Sequence, residues 1–204
     1  MLVSEIRDEV ALHLHDVDKA EISDANLLVM LNTAVRDARN SGWLIRLEDN
    51  ESLEVAASTW EYSVPASFAY VEKLLLEEDI SGTSVYIKQI PSAHWEVRLN
   101  GSVPVFTFKS DEFLVTGQNL KVVGQQRPTL YTVASETIDP GMESFLRERM
   151  LFYAFRYTGA GLSELARWRQ SMATMAYQTS EGFLRRHPQE FRMLPSAVEV
   201  PGRG

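Results

Sequence analysis

Hydrophobic residues recur at a period near 3.6 toward both ends of this chain and at a period of two in its middle, so helices are expected to flank a sheet. Between Ile22 and Ala38 the segment ISDANLLVMLNTAVRDA sets Leu27, Leu28, Leu31, Ala34, Val35 and Ala38 on one face. Asn26, Asn32, Thr33, Arg36 and Asp37 lie mostly elsewhere. Ser23 is placed to cap this helix, Asp24 sets a carboxylate at the positive end of its dipole, and Ile22 can staple against Leu27. The spacing predicts a helix from Asp24 to about Asn40, stopped at Ser41-Gly42. An earlier helix is expected from Val3 to His15, with Ile6, Val10, Leu14 and Val17 on one face, and the short polar connection DVDKAEISD makes the two antiparallel. Trp43, Leu44, Ile45 and Leu47 then follow, placed to cover the open end of the pair.

From Glu51 to about Thr132 the pattern is that of strands. Trp60, Tyr62 and Val64 alternate before Pro65, Val71 to Leu76 is a fuller apolar run, and Val85 and Ile87 alternate before Pro91. Trp95, Val97 and Leu99 lead into Asn100-Gly101, and Phe106 and Phe108 alternate beyond it, which predicts a hairpin over residues 94–109. A second return, Phe113-Leu114-Val115 and then Leu120 to Val123, completes an expected antiparallel meander folded as a small sandwich or barrel.

Helical spacing returns at Ile138-Asp139-Pro140, where Asp139 is read as a cap and Pro140 as the first helical residue. Phe145, Leu146, Met150, Tyr153, Ala154 and Tyr157 make a stripe that Leu151, Phe152 and Phe155 broaden to most of the circumference, so this helix needs cover on several sides. Gly159 and Gly161 break it. A fourth helix is expected over 162–184 with Leu165, Trp168, Met172, Met175, Ala176 and Phe183 inward, ended by Pro188. The remainder, HPQEFRMLPSAVEVPGRG, holds three prolines yet also Phe191, Met193, Leu194, Val198 and Val200, and reads as an extended tail that orders on a partner. The expected class is α+β. A bundle of about four helices (1–47 and 138–187) carries an inserted antiparallel β domain (48–137) and an extended C-terminal tail (188–204).

Charge refines this picture. The net charge of −8 over 204 residues divides unevenly: residues 1–141 hold 11 Lys and Arg against 22 acids, whereas residues 142–204 hold nine Arg, no Lys and six Glu. Arg pairs bidentately and stacks on rings, so a basic end made only of Arg suits protein contacts, although a solvated helical face has the same composition. No apolar run is long enough to cross a bilayer, no secretory signal opens the chain, and the absence of Cys excludes disulfides, thiolate metal sites and cysteine nucleophiles.

Candidate chemistry is sparse. His13 and His15, two apart on a helix, are expected to point to different faces; His94 has no acidic partner in view, and His187 sits at a helix end, where a cation is favoured. Glu77-Glu78-Asp79 lacks the alternating oxygen ligands of a calcium loop, and residues 158–164 resemble a phosphate loop only in two glycines. No nucleophile elbow, zinc-protease or P-loop motif occurs, so no catalytic residue, cofactor site or metal site is assigned. Trp60, Tyr62, Trp95, Phe106 and Phe108 could stack bases, but residues 51–80 hold one Lys against seven acids, and these rings are read as core.

The run ISDANLLVMLNTAVRDARNSGW, then a β-rich insert, then GQNLKVVGQQRP, then IDPGMESFLRERMLFYAFRYTGAGLSELARWRQSM, resembles the head-to-tail adaptor (head completion, or connector) proteins of tailed bacteriophages. The resemblance implies a helical bundle packed side by side into a ring, usually dodecameric, docked beneath the portal and leading to stopper or tail proteins. DNA would pass non-specifically through its channel. It implies a protein of the virion neck, made in the host bacterial cytoplasm, with no membrane partner. It places portal contacts on Arg185, Arg186, Phe191, Arg192, Met193, Leu194, Val198 and Val200, and packing between subunits on Phe152, Phe155, Arg156 and Trp168. Two rivals remain. A stopper or tail-completion protein of the same axis is typically a small β-barrel without two long C-terminal helices. A DNA-binding regulator reading DNA with its first two helices is opposed by the acidic N-terminal half.

Overall fold

The computed structural model describes residues 1–49, 53–139, 141–159, 163–186 and 198–201. Four helices, α1 (Val3–His13), α2 (Asp24–Asn40), α3 (Glu143–Thr158) and α4 (Glu164–Arg186), flank a β-rich middle, so the fold is α+β. The strands are β1 (Ile45–Asp49), β2 (Glu61–Ser63), β3 (Tyr70–Ile80), β4 (Thr83–Ile90), β5 (Trp95–Asn100), β6 (Val103–Phe108), β7 (Leu120–Gln126) and β8 (Val198–Glu199). The chain forms two compact units, one of Met1–Trp43 with Pro128–Pro188 and one of Leu44–Arg127 with Gln189–Gly204. Among the described residues no helix is long and apolar enough to cross a membrane.

In the helical unit α2 follows its sequence pattern: Ser23 accepts from the Asn26 N–H at 3.3 Å, and Leu27, Leu31, Ala34, Val35 and Ala38 are buried. α1 stops earlier than its periodicity suggested, and Val17 stands 66% exposed. The reason is Asp16. Its carboxylate accepts from the N–H groups of Ala20, Glu21 and Ile22 at 2.8 to 3.1 Å, folding the connection back on itself before another turn can form. α3 likewise starts at Glu143 with Met142 before it, so Asp139 is not its cap; the Asp139 carboxylate meets the Thr129 N–H, and Pro140 lies outside the described residues. Residues 128–137 belong with the helices. Asn32 clamps them by donating to the Tyr131 carbonyl at 2.8 Å and accepting from the Tyr131 N–H at 2.9 Å, while Val3 and Ser4 donate to the carbonyls of Glu136 and Ala134. Trp43 does close the bundle, against the Phe145 ring at 5.4 Å, but Ile45 onward leaves it as β1.

In the β unit a five-stranded sheet runs β1-β7-β3-β4, with β8 also on β3, and a three-stranded sheet runs β2-β6-β5. Both sheets bury one core: Val71, Leu74, Leu76, Leu120 and Val122 meet Tyr62, Trp95, Phe106 and Phe108. The β5–β6 hairpin is present in antiparallel register from Trp95↔Phe108 to Asn100↔Val103. Its turn is shifted by one residue, to Gly101-Ser102, with Gly101 at φ +63. The meander is not observed. Phe113 to Val115 form no strand, and β7 instead inserts between β1 and β3. Gly124 makes that insertion possible, since a Cβ there would lie 2.1 Å from the Tyr70 carbonyl oxygen, beside the bulge between Val71 and Lys73.

Candidate assembly surface on the helical unit

α4 carries two apolar stripes side by side, and packing uses the smaller one. Ala166, Ala173, Ala176 and Ser180 are buried, because small side chains allow the backbones of α3 and α4 to approach, while the Phe152 and Phe155 rings of α3 meet Tyr177 and Trp168. Of the residues expected inward, only Ala176 is. Met172 and Phe183 are half-buried, whereas Leu165, Trp168 and Met175 stand 55%, 43% and 57% exposed. The helices are also laced at their junction. Gln170 donates to the Gly159 carbonyl at 3.1 Å, Arg169 donates to the Thr158 carbonyl at 3.1 Å, and Arg169 meets Glu21 at 2.7 Å. A Cβ on Gly159 would come within 2.5 Å of the Phe155 oxygen, so that residue is fixed by close approach; Gly161 lies outside the described residues.

Beneath the helix contacts sits a charge that sequence reading did not find. Arg149 is 4% exposed and bonds Glu181 at 2.5 Å, approaches Asp37 at 3.6 Å, and lies over the rings of Tyr177 and Phe145 at 4.8 and 5.4 Å. Tyr153 donates to Asp37 at 2.5 Å, and burial with that partner pushes its phenol pKa well above the ordinary value. The network ties α2, α3 and α4 together. Its members are far apart in sequence, so no local signal marks them.

The unburied stripe of α4 borders a groove of about 340 Å³. Leu151, Phe155 and Ala176 line it together with Trp168, Met172, Met175 and Thr179, and Glu148, His13 and His15 complete it. The two histidines were expected on different faces. They share one because the helix ends at His13 and His15 turns into the left-handed region at φ +58. No cluster of metal-ligating side chains occurs among the described residues.

The residues singled out from sequence separate clearly. Trp168 and Arg156 are exposed, Phe152 is half-buried with Arg156 over its ring at 5.5 Å, and Phe155 is buried against Trp168 in the wall of the groove. Arg185 and Arg186 are exposed at the end of α4, whereas Phe191, Arg192, Met193 and Leu194 lie outside the described residues. Val198 and Val200 do not hang free. β8 pairs with β3 through Tyr70↔Glu199 and Val71↔Val198, and Val200 is fully buried, its N–H donating to the Ala69 carbonyl at 2.8 Å. The end of the tail is therefore part of the β core, and Val200 has no surface to offer a partner.

An exposed apolar stripe and the exposed Arg185 and Arg186 at the end of α4 are the kind of surface that protein contacts use. A family model described as the SU10 adaptor protein matches residues 1–192, and the chain belongs to this family of tailed-phage head-to-tail adaptor proteins. Membership makes it a structural protein of the virion neck, where adaptors assemble as oligomers with portal and tail proteins. No curated protein matches the chain.

Proposed function

We propose that this protein forms a closed ring beneath the portal, dodecameric as the resemblance implies, which joins the portal to stopper or tail proteins and lets DNA pass without adhering. The observation that carries this reading is the family match, which spans both units and all four helices. Two features support it. The groove beside α4, with Trp168 and Phe155 in its wall, and the separate place where exposed Arg156 lies over Phe152 offer lateral faces to a neighbour, and a heterologous contact between different faces repeats from copy to copy. The excess of acids over bases in residues 1–141 suits a conduit, because fixed negative charge repels phosphate. Work by contact needs no cofactor or metal, and synthesis in the host bacterial cytoplasm suits a chain with no Cys.

Arg185, Arg186 and the segment with Phe191, Arg192, Met193 and Leu194 are assigned to the portal; Val198 is assigned only through its exposed edge. Replacing residues 188–197 with a Gly/Ser linker of equal length keeps β8 in place. The altered protein is expected to melt as wild type but to fail to bind portal-bearing heads in a sedimentation assay. Normal binding would remove the tail from the portal contact.

A further inference from the structure

Extending the adaptor reading, we propose that a small pocket in the β unit, walled by Trp60 and Asp111, receives an arginine side chain of another protein of the neck. The pocket, of about 260 Å³, lies between residues 55–60 and residues 111–116. Its size suits one side chain rather than a drug-sized ligand. Its walls are held before anything binds. The Tyr62 hydroxyl accepts from the Ala56 N–H at 3.2 Å and donates to the Thr59 carbonyl at 3.1 Å, which fixes one loop from the core. Val55 donates to the Gln118 carbonyl at 2.9 Å and accepts from the Gly117 N–H at 2.8 Å, which joins that loop to the other.

Trp60 departs from the pattern of its neighbours. Tyr62 and Val64, which share its alternation in sequence, are buried in the β core, whereas Trp60 is 41% exposed in the pocket wall. Such an indole offers a face on which a cation can stack. Asp111 supplies the complementary charge: it is exposed, and among the described residues its carboxylate makes no ion pair and no hydrogen bond. Residues 53–61 and 110–119 hold Glu54, Glu61, Asp111 and Glu112 and no Lys, Arg or His, so these loops disfavour phosphate and favour a cation. The adjoining base, Lys109, is held by the Ala93 carbonyl at 3.1 Å. Among cationic side chains the guanidinium fits this pair of walls, because it lies flat on an indole while presenting two N–H groups to one carboxylate.

The test is a titration of isotope-labelled protein followed by NMR at the Trp60 indole N–H, assigned with Trp60→Phe. The ligand is N-acetylarginine amide, with its citrulline and lysine counterparts and methyl glucoside for comparison. The expected result is a saturable shift with the arginine compound, weaker binding of the lysine one, and none of citrulline or methyl glucoside. Asp111→Asn, with its fold verified by a melting curve, is expected to weaken arginine binding at least about tenfold. Absence of a saturable shift, equal binding of lysine or citrulline, a shift with methyl glucoside alone, or undiminished binding by Asp111→Asn would each overturn the proposal. On portal-bearing heads, Asp111→Asn is expected to form the ring in electron micrographs but to lose the next neck protein in sedimentation. Retention of that protein would overturn the assignment, and failure of the ring itself would give the arginine to a second copy and overturn it too. Absence of a ring with the wild-type protein contradicts the adaptor reading instead, and the titration still decides whether the pocket takes arginine.

Discussion

Two charged residues hold the helical unit at points where hydrophobic spacing alone would leave it undefined. Arg149 is the first: almost no water reaches its guanidinium, which bonds Glu181, lies near Asp37 and stacks over two aromatic rings, while its Nε makes no hydrogen bond. Removing one member of a buried pair strands the others, so Arg149→Ala is expected to cost about 3–5 kcal/mol in chemical denaturation. A loss under about 1 kcal/mol would mean that the network is solvated and does not clamp the helices. Asp16 is the second. Burial opposes its charge, but N–H donors from Ile22, Glu21 and Ala20 outweigh that, and its pKa is held below the ordinary carboxylate value. A depressed folded-state pKa adds stability that is present above the unfolded value and lost as pH falls through the folded one. Asp16→Asn is therefore expected to lower the melting temperature at pH 7, with the gap from wild type closing as pH drops below about 4. An equal gap at all pH values would show that shape, not charge, holds the connection.

At the scale of elements, what was legible in the sequence was what local pattern dictates. The α2 cap at Ser23, the existence of four helices and the β5–β6 hairpin all follow from spacing and turn chemistry within a few residues. What was not legible depends on distant partners. β7 reads as the return of a meander, yet it pairs with β1 and β3 because Gly124 lets the Tyr70 backbone come close. α4 carries two stripes at helical spacing, and periodicity cannot say which one α3 will choose; the alanine stripe is the buried one, because small side chains let the backbones approach. Of Phe152, Phe155, Arg156 and Trp168, named for subunit packing through the family resemblance, Arg156 and Trp168 are the exposed ones, and spacing alone does not say so. The tail shows the same limit. Val198 and Val200 look like a partner motif, and β8 shows that their partner is β3 of the same chain. Deleting residues 198–204 is thus expected to cost the β unit about 1.5–3 kcal/mol through loss of Val200 burial, read as a lowered denaturation midpoint. An unchanged midpoint would show that β8 is dispensable to the core.

At the scale of the whole molecule, membership in the adaptor family makes this chain a structural protein whose work is done with other proteins of the virion neck. The exposed apolar seam, the Arg-rich C-terminal end and the acidic remainder are each costly or idle in a lone chain and useful in an assembly. The measurement that bears most directly on the central claim is a cryo-EM reconstruction of the neck of virions carrying this protein. The account predicts a closed ring of this chain directly below the portal, with α4 at the contact between neighbouring copies, the segment after Arg186 against the portal, and an acidic inner wall. A reconstruction in which the protein is absent from the neck, or in which its copies do not touch one another, would contradict it.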